Sequence, residues 1–322
     1  MYIVVLIYVS CRILFGKSLY KLHFLCYNRI KQWLSGYPTR FQNKEVQNME
    51  NVKQKKIGLV LSGGGAKGAY EVGVWAALEQ LGLTGSIDGI IGSSVGALNA
   101  VLFDTCDLQT AKDIWLNLKE SDLLYVDQTA FFTLLLGPAF QAVRSSVWGI
   151  MLGGVFSQKR LEEIMKKNID FRRSKRALYA VCSHIASPKL SEVFYLAEYA
   201  PDVRRKIVLA SSALPVIYRG LFGARINGAG YLDGGISDNT PRMKLRAQGW
   251  RQTVTVWLTD QPEPDKLSND RNIDIIPSES LGSFVSGTIK VDPDKQKHDF
   301  ELGLRDTLAL KERLLQMADA VK

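Results

Sequence analysis

The sequence predicts an α/β fold in which a mainly parallel sheet carries helices on its faces. Three observations predict it. From residue 56 onward, short apolar runs alternate with longer helix-like ones, the pattern of strand–helix units that build parallel sheets. The first two apolar runs each break into a glycine-containing turn that opens a helix. Finally, 322 residues with 46% hydrophobic side chains supply core enough for one large domain.

KIGLVLS, starting at Lys56, reads as the first strand. AKGAYEVGVWAALEQLG follows as an amphipathic helix, with Val72, Trp75, Ala76 and Leu78 near helical spacing and Gly82 where it stops. DGIIGSS is a second strand, which breaks into the small-residue helix VGALNAVLFD, and residues 107–119 form a third helix. Residues 123–156 hold FFTLLLGPAF and VWGIMLGGVF, interrupted at Gly137-Pro138. They read as packing helices, the rival being a cap over an acyl-chain groove or a surface that dips into lipid. RALYAVCSHI and LSEVFYL predict strands, PDVRRKIVLASSALP a helix ended by Pro215, and QTVTVWLTD and NIDIIPS two further strands. A last helix begins at about residue 299. There is no internal repeat or low-complexity linker, so one domain is expected over residues 54–322.

The formal net charge of +9 is unevenly spread, because residues 1–48 hold seven Lys/Arg against the single acid Glu45. The nearly neutral body argues against nucleic acid as a partner. The opening MYIVVLIYVSC lacks a basic leader and is too short to span a bilayer, which takes about 20 residues. Residues 1–53 are read either as a weak interfacial anchor with a basic flank (Lys17, Lys21, Arg29, Lys31) or as an extension upstream of a start at Met49. The second is preferred, because the domain begins directly after MENVKQKK. Cys11, Cys26, Cys106 and Cys182 are scattered, with no C-x-x-C and no histidine at ligand spacing. They read as reduced thiols, and neither a metal nor a cofactor is expected.

Chemistry concentrates in three stretches. LSGGGAKGAY places Gly63, Gly65 and Gly68 in a G-x-G-x-x-G pattern after the first strand. A dinucleotide site would want an acid at the far end of the next strand, but that end is Gly-Ser-Ser. A phosphate loop would want Gly-Lys-Ser/Thr, but Gly68 is followed by Ala69 and Tyr70. The second stretch is Gly92-Ser-Ser-Val-Gly96, a G-x-S-x-G between a strand and a helix. There a nucleophile sits on a sharp turn whose flanking glycines remove clashing Cβ atoms, and the helix N-terminus favours developing negative charge. Ser94 then needs a base. His23 lies in the N-terminal piece and His184 ends a strand; His298 has the chain order of an α/β-hydrolase histidine. The other candidate is Asp233, in the third stretch, YLDGG, at the end of a strand-like run.

Gly63-Gly-Gly-Ala-Lys-Gly68, Gly92-Ser-Ser-Val-Gly96 and Asp233-Gly-Gly235, in this order, resemble the patatin-like phospholipase family. ASSALP at 210–215 and DGGISDNTP at 233–241 extend the likeness, which runs from about residue 56 to at least 260. The resemblance implies a three-layer α/β/α sandwich and a Ser–Asp dyad, with Ser94 as nucleophile and Asp233 as base. Gly63, Gly64 and Gly65 would supply the oxyanion hole, with Lys67 beside them where the family carries Arg or Lys. Gly92, Gly96, Gly234 and Gly235 would be supporting residues, while Asn239 and Pro241 would fix the loop after the acid.

The expected activity is therefore calcium-independent hydrolysis of acyl esters of phospholipids or lysophospholipids, with a membrane or micellar lipid as partner. A cytoplasmic enzyme that visits membranes fits the neutral body and few cysteines. A His298-dependent esterase and a non-catalytic lipid-binding module are the alternatives.

Overall fold

The computed structural model describes residues 56–123, 157–214, 224–262, 271–283 and 290–321. The readings made for residues 1–55, for the apolar stretch 124–156 and for Pro215 lie outside the described residues.

An eight-stranded sheet forms the centre. Its parallel core contains β1 (Ile57–Leu61), β2 (Ile87–Ser93), β3 (Ala177–His184), β7 (Gln252–Val256) and β8 (Asn272–Ile275), in the order β3-β2-β1-β7-β8. Three further strands run antiparallel to their neighbours: β4 (Ser187–Tyr195) and β6 (Ala229–Asp233) pair with β3, and β5 (Ala224–Ile226) pairs with β6.

Both faces of the sheet are covered. Ile57, Leu59, Leu61 and Ile90 point into the main core; Val60 and Ile91 point the other way, toward Leu245 and Trp250. The main face carries α1 (Gly68–Gln80), α2 (Val95–Thr105), α3 (Leu108–Leu116), α4 (Lys159–Asn168), α5 (Pro201–Ser211), α7 (Pro293–Ala309) and α8 (Lys311–Asp319). The opposite face carries the short α6 (Arg242–Ala247). This is the expected α/β/α layering, with the helices unequally divided.

Several elements differ from the sequence reading. Helix α1 is buried on every side from Gly68 to Leu78, because α7 packs along it; it is a central helix and not an amphipathic one. Helix α5 ends at Ser211, short of Pro215, since Ser212 to Leu214 turn toward the site. The closing helix begins at Pro293, where the Asp292 side chain caps the Asp294 and Lys295 N–H groups, and a second helix follows at Lys311. Helices α4 and α6 and strand β5 had no sequence expectation.

Strands β2 and β4 overlap on β3 and so occupy opposite edges of it. Strand β6 pairs with Cys182 to His184, where β4 already holds one edge, so it lies on the β2 edge. Ser93 of β2 pairs with Val181 and Asp233 of β6 with the next residue, Cys182. Two strands running in opposite directions thus meet end to end, with Ser94 and Asp233 at the junction.

Candidate active site

Ser94 is the single residue between β2 and α2, and it adopts φ 53° and ψ −123°. A non-glycine residue in this region is strained, and the surroundings must hold it there. They do so at both ends of the residue. The Ser94 N–H donates to Ser211 Oγ at 3.0 Å, and the Ser94 carbonyl accepts from Ser212 Oγ at 3.2 Å. Ser211 in turn donates to the Val181 carbonyl at 2.6 Å. Gly92 makes the turn possible, because a Cβ there would stand 2.2 Å from the Gly96 backbone; Gly96 lets the start of α2 pass close to the end of β1, because a Cβ there would stand 2.4 Å from the Leu61 carbonyl.

Ser94 Oγ donates to Asp233 Oδ2 at 2.7 Å. Asp233 Oδ1 accepts the Gly235 N–H at 2.8 Å, and the Asp233 N–H donates to the Ala213 carbonyl at 3.1 Å. Ser211, Ser212 and Ala213 therefore secure both partners. Gly234 lies against the Val181 carbonyl and Gly235 against Asn239, each too close for a side chain. Asp233 is only 1% exposed, and burial pushes its carboxyl up to about 7 against the opposing bonds from Ser94 and Gly235.

The glycine loop runs beside this pair, a Cβ on Gly63 falling 3.1 Å from that of Ser94. Gly65 takes φ 58°, which favours glycine. The Gly63 N–H donates to the Asn239 carbonyl at 3.0 Å. That bond engages the hydrogen that Gly63 would otherwise offer to an oxyanion.

Lys67 is half-buried, and its Nζ donates to the Leu258 carbonyl at 3.4 Å. Burial, then Lys295, lowers its pKa. Among the described residues it makes no bond to Ser94 or Asp233, so its place in the oxyanion set has no support in the geometry.

His298 sits on α7, more than half exposed, with its Nε2 3.3 Å from Glu279. His184 ends β3 with its ring edge-on to Tyr231. Neither histidine bonds to Ser94 among the described residues. Those residues also contain no cluster of His, Cys, Asp and Glu able to hold a metal ion.

Residues 59–245, a span that includes all three glycine motifs, match the family model of patatin-like phospholipase. The chain belongs to the patatin-like phospholipase family. Lysophospholipase NTE1 of Candida glabrata is 25% identical over 276 residues, covering 80% of this chain and 14% of that protein. Lysophospholipase nte1 of Aspergillus terreus is 51% identical over 49 residues, covering 15% of this chain and 3% of that protein. The chain thus spans a small part of the length of these relatives. The crystal structure of VipD from Legionella pneumophila shares the fold, with a TM-score of 0.51 and 16% identity over 86% of this chain and 72% of that one.

Within this patatin-like domain, sequence reasoning missed several buried polar residues behind the site. Asn99 on α2 donates through Nδ2 to the Gly68 carbonyl at 3.1 Å and to Glu71 Oε2 at 2.7 Å, and it accepts from Trp115 Nε1 at 2.8 Å. Gln296 on α7 donates to the Ala66 carbonyl at 2.9 Å. Ser62 and Ser93, which had no assigned role, tie the loops together: Ser62 bonds to the Val256 carbonyl and Thr240, and Ser93 to the Asp238 carbonyl.

Proposed function

We propose that this chain is a serine acyl-ester hydrolase that releases fatty acids from phospholipids or lysophospholipids, with Ser94 as nucleophile and Asp233 as its base. The observation that carries this reading is the 2.7 Å bond from the Ser94 hydroxyl to a buried aspartate. An aspartate in water is a poor base at neutral pH, but one raised to about 7 is matched to the task. The names of the relatives support the substrate class.

Asp233 takes the hydroxyl proton as Ser94 Oγ attacks the ester carbonyl carbon. The negative charge that forms on the carbonyl oxygen is held by the N–H groups of Gly64 and Gly65. Collapse expels the alcohol, which receives the proton from Asp233, and leaves the acyl group on Ser94. Water then attacks this ester, Asp233 takes its proton, and the fatty acid departs as Ser94 regains a hydrogen. Losing one such N–H donor typically costs about two to three orders of magnitude in rate.

The catalytic unit in this reading is residues 54–322, a peripheral enzyme working at membrane or micelle surfaces from the cytoplasm. No helix among the described residues is long and apolar enough to cross a membrane. Fatty-acid release from mixed phospholipid vesicles by the full chain, beside Ser94→Ala, tests the proposal. Release that disappears with Ser94 is expected; equal release from both proteins sinks it.

A further inference from the structure

Three carboxamides grip carbonyl oxygens of the glycine loop. Asn239 Nδ2 donates to Gly63 at 3.0 Å, Gln296 Nε2 to Ala66 at 2.9 Å and Asn99 Nδ2 to Gly68 at 3.1 Å. Asn99 and Gln296 are buried, and the peptide planes they fix lead to the N–H groups of Ala69 and Lys67. Lys67 N–H already donates to the Gly64 carbonyl at 3.3 Å. The plane that Asn239 fixes is different, because it leads to Gly64.

In a trans peptide the C=O of one residue and the N–H of the next point in opposite directions. A bond that sets the Gly63 carbonyl therefore also sets the Gly64 N–H. Three consecutive glycines impose almost no torsional preference of their own, so the orientation of that plane has to come from outside the loop. Asn239 supplies it through Nδ2 on the Gly63 carbonyl, while its own carbonyl accepts the Gly63 N–H at 3.0 Å and so holds the preceding peptide plane as well. Its Oδ1 is wedged between two motifs. A Cβ on Gly63 would come within 2.3 Å of that atom and one on Gly235 within 2.6 Å. One exposed side chain thus spans the glycine loop and the loop that follows Asp233.

We propose that Asn239 is the positioning residue of the oxyanion site: by bonding the Gly63 carbonyl it aims the Gly64 N–H at the tetrahedral oxygen, while touching no reacting atom itself. This rests on the reading of Ser94 as nucleophile and Gly64 as donor. It assigns Asn239 a role in the transition state, beyond fixing the loop after the acid. Because a misdirected donor fails only when charge has developed, the loss appears in kcat and spares lipid binding.

The test compares wild type, Asn239→Ala and Ser94→Ala as full chains. Four readouts are taken: fatty-acid release, thermal midpoint, inhibition by a lipid trifluoromethyl ketone that forms a tetrahedral adduct, and affinity for vesicles of a non-hydrolysable ether lipid. For Asn239→Ala the expected result is a fall in kcat of roughly tenfold to a hundredfold, with KM and ether-lipid affinity within about twofold. Ketone inhibition should weaken by the same factor as kcat/KM. Asn239→Asp keeps the shape and replaces the donor with an acceptor, so at pH 9 it should lose at least as much; it also decides the matter if the alanine variant folds poorly. Unchanged kcat, or a loss shared equally by ketone and ether lipid, overturns the positioning role. Activity retained by Ser94→Ala overturns the underlying dyad instead.

Discussion

Ser94 and Asp233, 139 residues apart in sequence, meet at 2.7 Å because β2 and β6 abut end to end along one edge of β3. That junction explains how a carboxylate reaches the Ser94 turn without a helix or long loop to carry it. It also buries the carboxyl, and burial is what raises its pKa.

The rate should therefore follow the ionisation of Asp233. Its pKa in the folded protein is pushed up to about 7, so the base form accumulates only as pH rises through that value. A profile of kcat/KM against pH from 5 to 9 should climb about tenfold per unit below 7 and level above it. Asp233→Asn should lose at least about three orders of magnitude and flatten the profile. A rate independent of pH across this range would remove Asp233 as the base.

Ser211 holds the strained backbone of Ser94 and should matter to both stability and rate. Ser211→Ala leaves the Ser94 N–H and the Val181 carbonyl without this partner in a buried site. The expected cost is about 2 kcal/mol in denaturant unfolding, together with a lower kcat as the turn relaxes. Full stability and full activity in this variant would show that the turn holds itself.

Glu71 gives the fold a pH dependence of its own. It is fully buried beside Asn99, and burial pushes its carboxyl from an ordinary 4.5 to about 8. Between those values the folded protein holds a proton that the unfolded chain has released, so stability is greatest below the unfolded pKa and falls as pH rises toward 8. The slope is on the order of 1 kcal/mol per pH unit, and Asp233 adds a similar one between an ordinary 3.8 and about 7. Glu71→Gln removes only the first, so its thermal midpoint should gain on wild type steadily from pH 5 to 8. A difference that does not change with pH would mean that Glu71 is ionised in the fold.

The parts of the site legible in the sequence are those whose chemistry is local. Gly92 is required by the turn around Ser94 itself, where a Cβ would meet the Gly96 backbone, and Gly65 by its own φ, so each leaves a mark in its immediate neighbours. Ser211 and Ser212 were marked only as part of the ASSALP likeness, with no role, and Asn99 and Gln296 left no mark, because each bonds to a residue more than 25 positions away. The bond that occupies the Gly63 N–H was illegible for the same reason, since it needs Asn239 to arrive from 176 residues downstream. The closing helix α7 was read from about residue 299, although its true start was legible, since Asp292-Pro293 is a cap followed by a first-turn proline. The burial of α1 on all sides was not legible, since it depends on α7 packing along it.

The most direct test is labelling by a lipid-like fluorophosphonate, with the modified residue located by peptide mass and the rate compared between wild type and Asp233→Asn at pH 8. An activated Ser94 predicts rapid, single-site modification of the peptide carrying Ser94 in wild type and labelling slower by at least about a hundredfold in the variant. Equal rates in the two proteins, or modification elsewhere, would contradict the Ser94–Asp233 dyad.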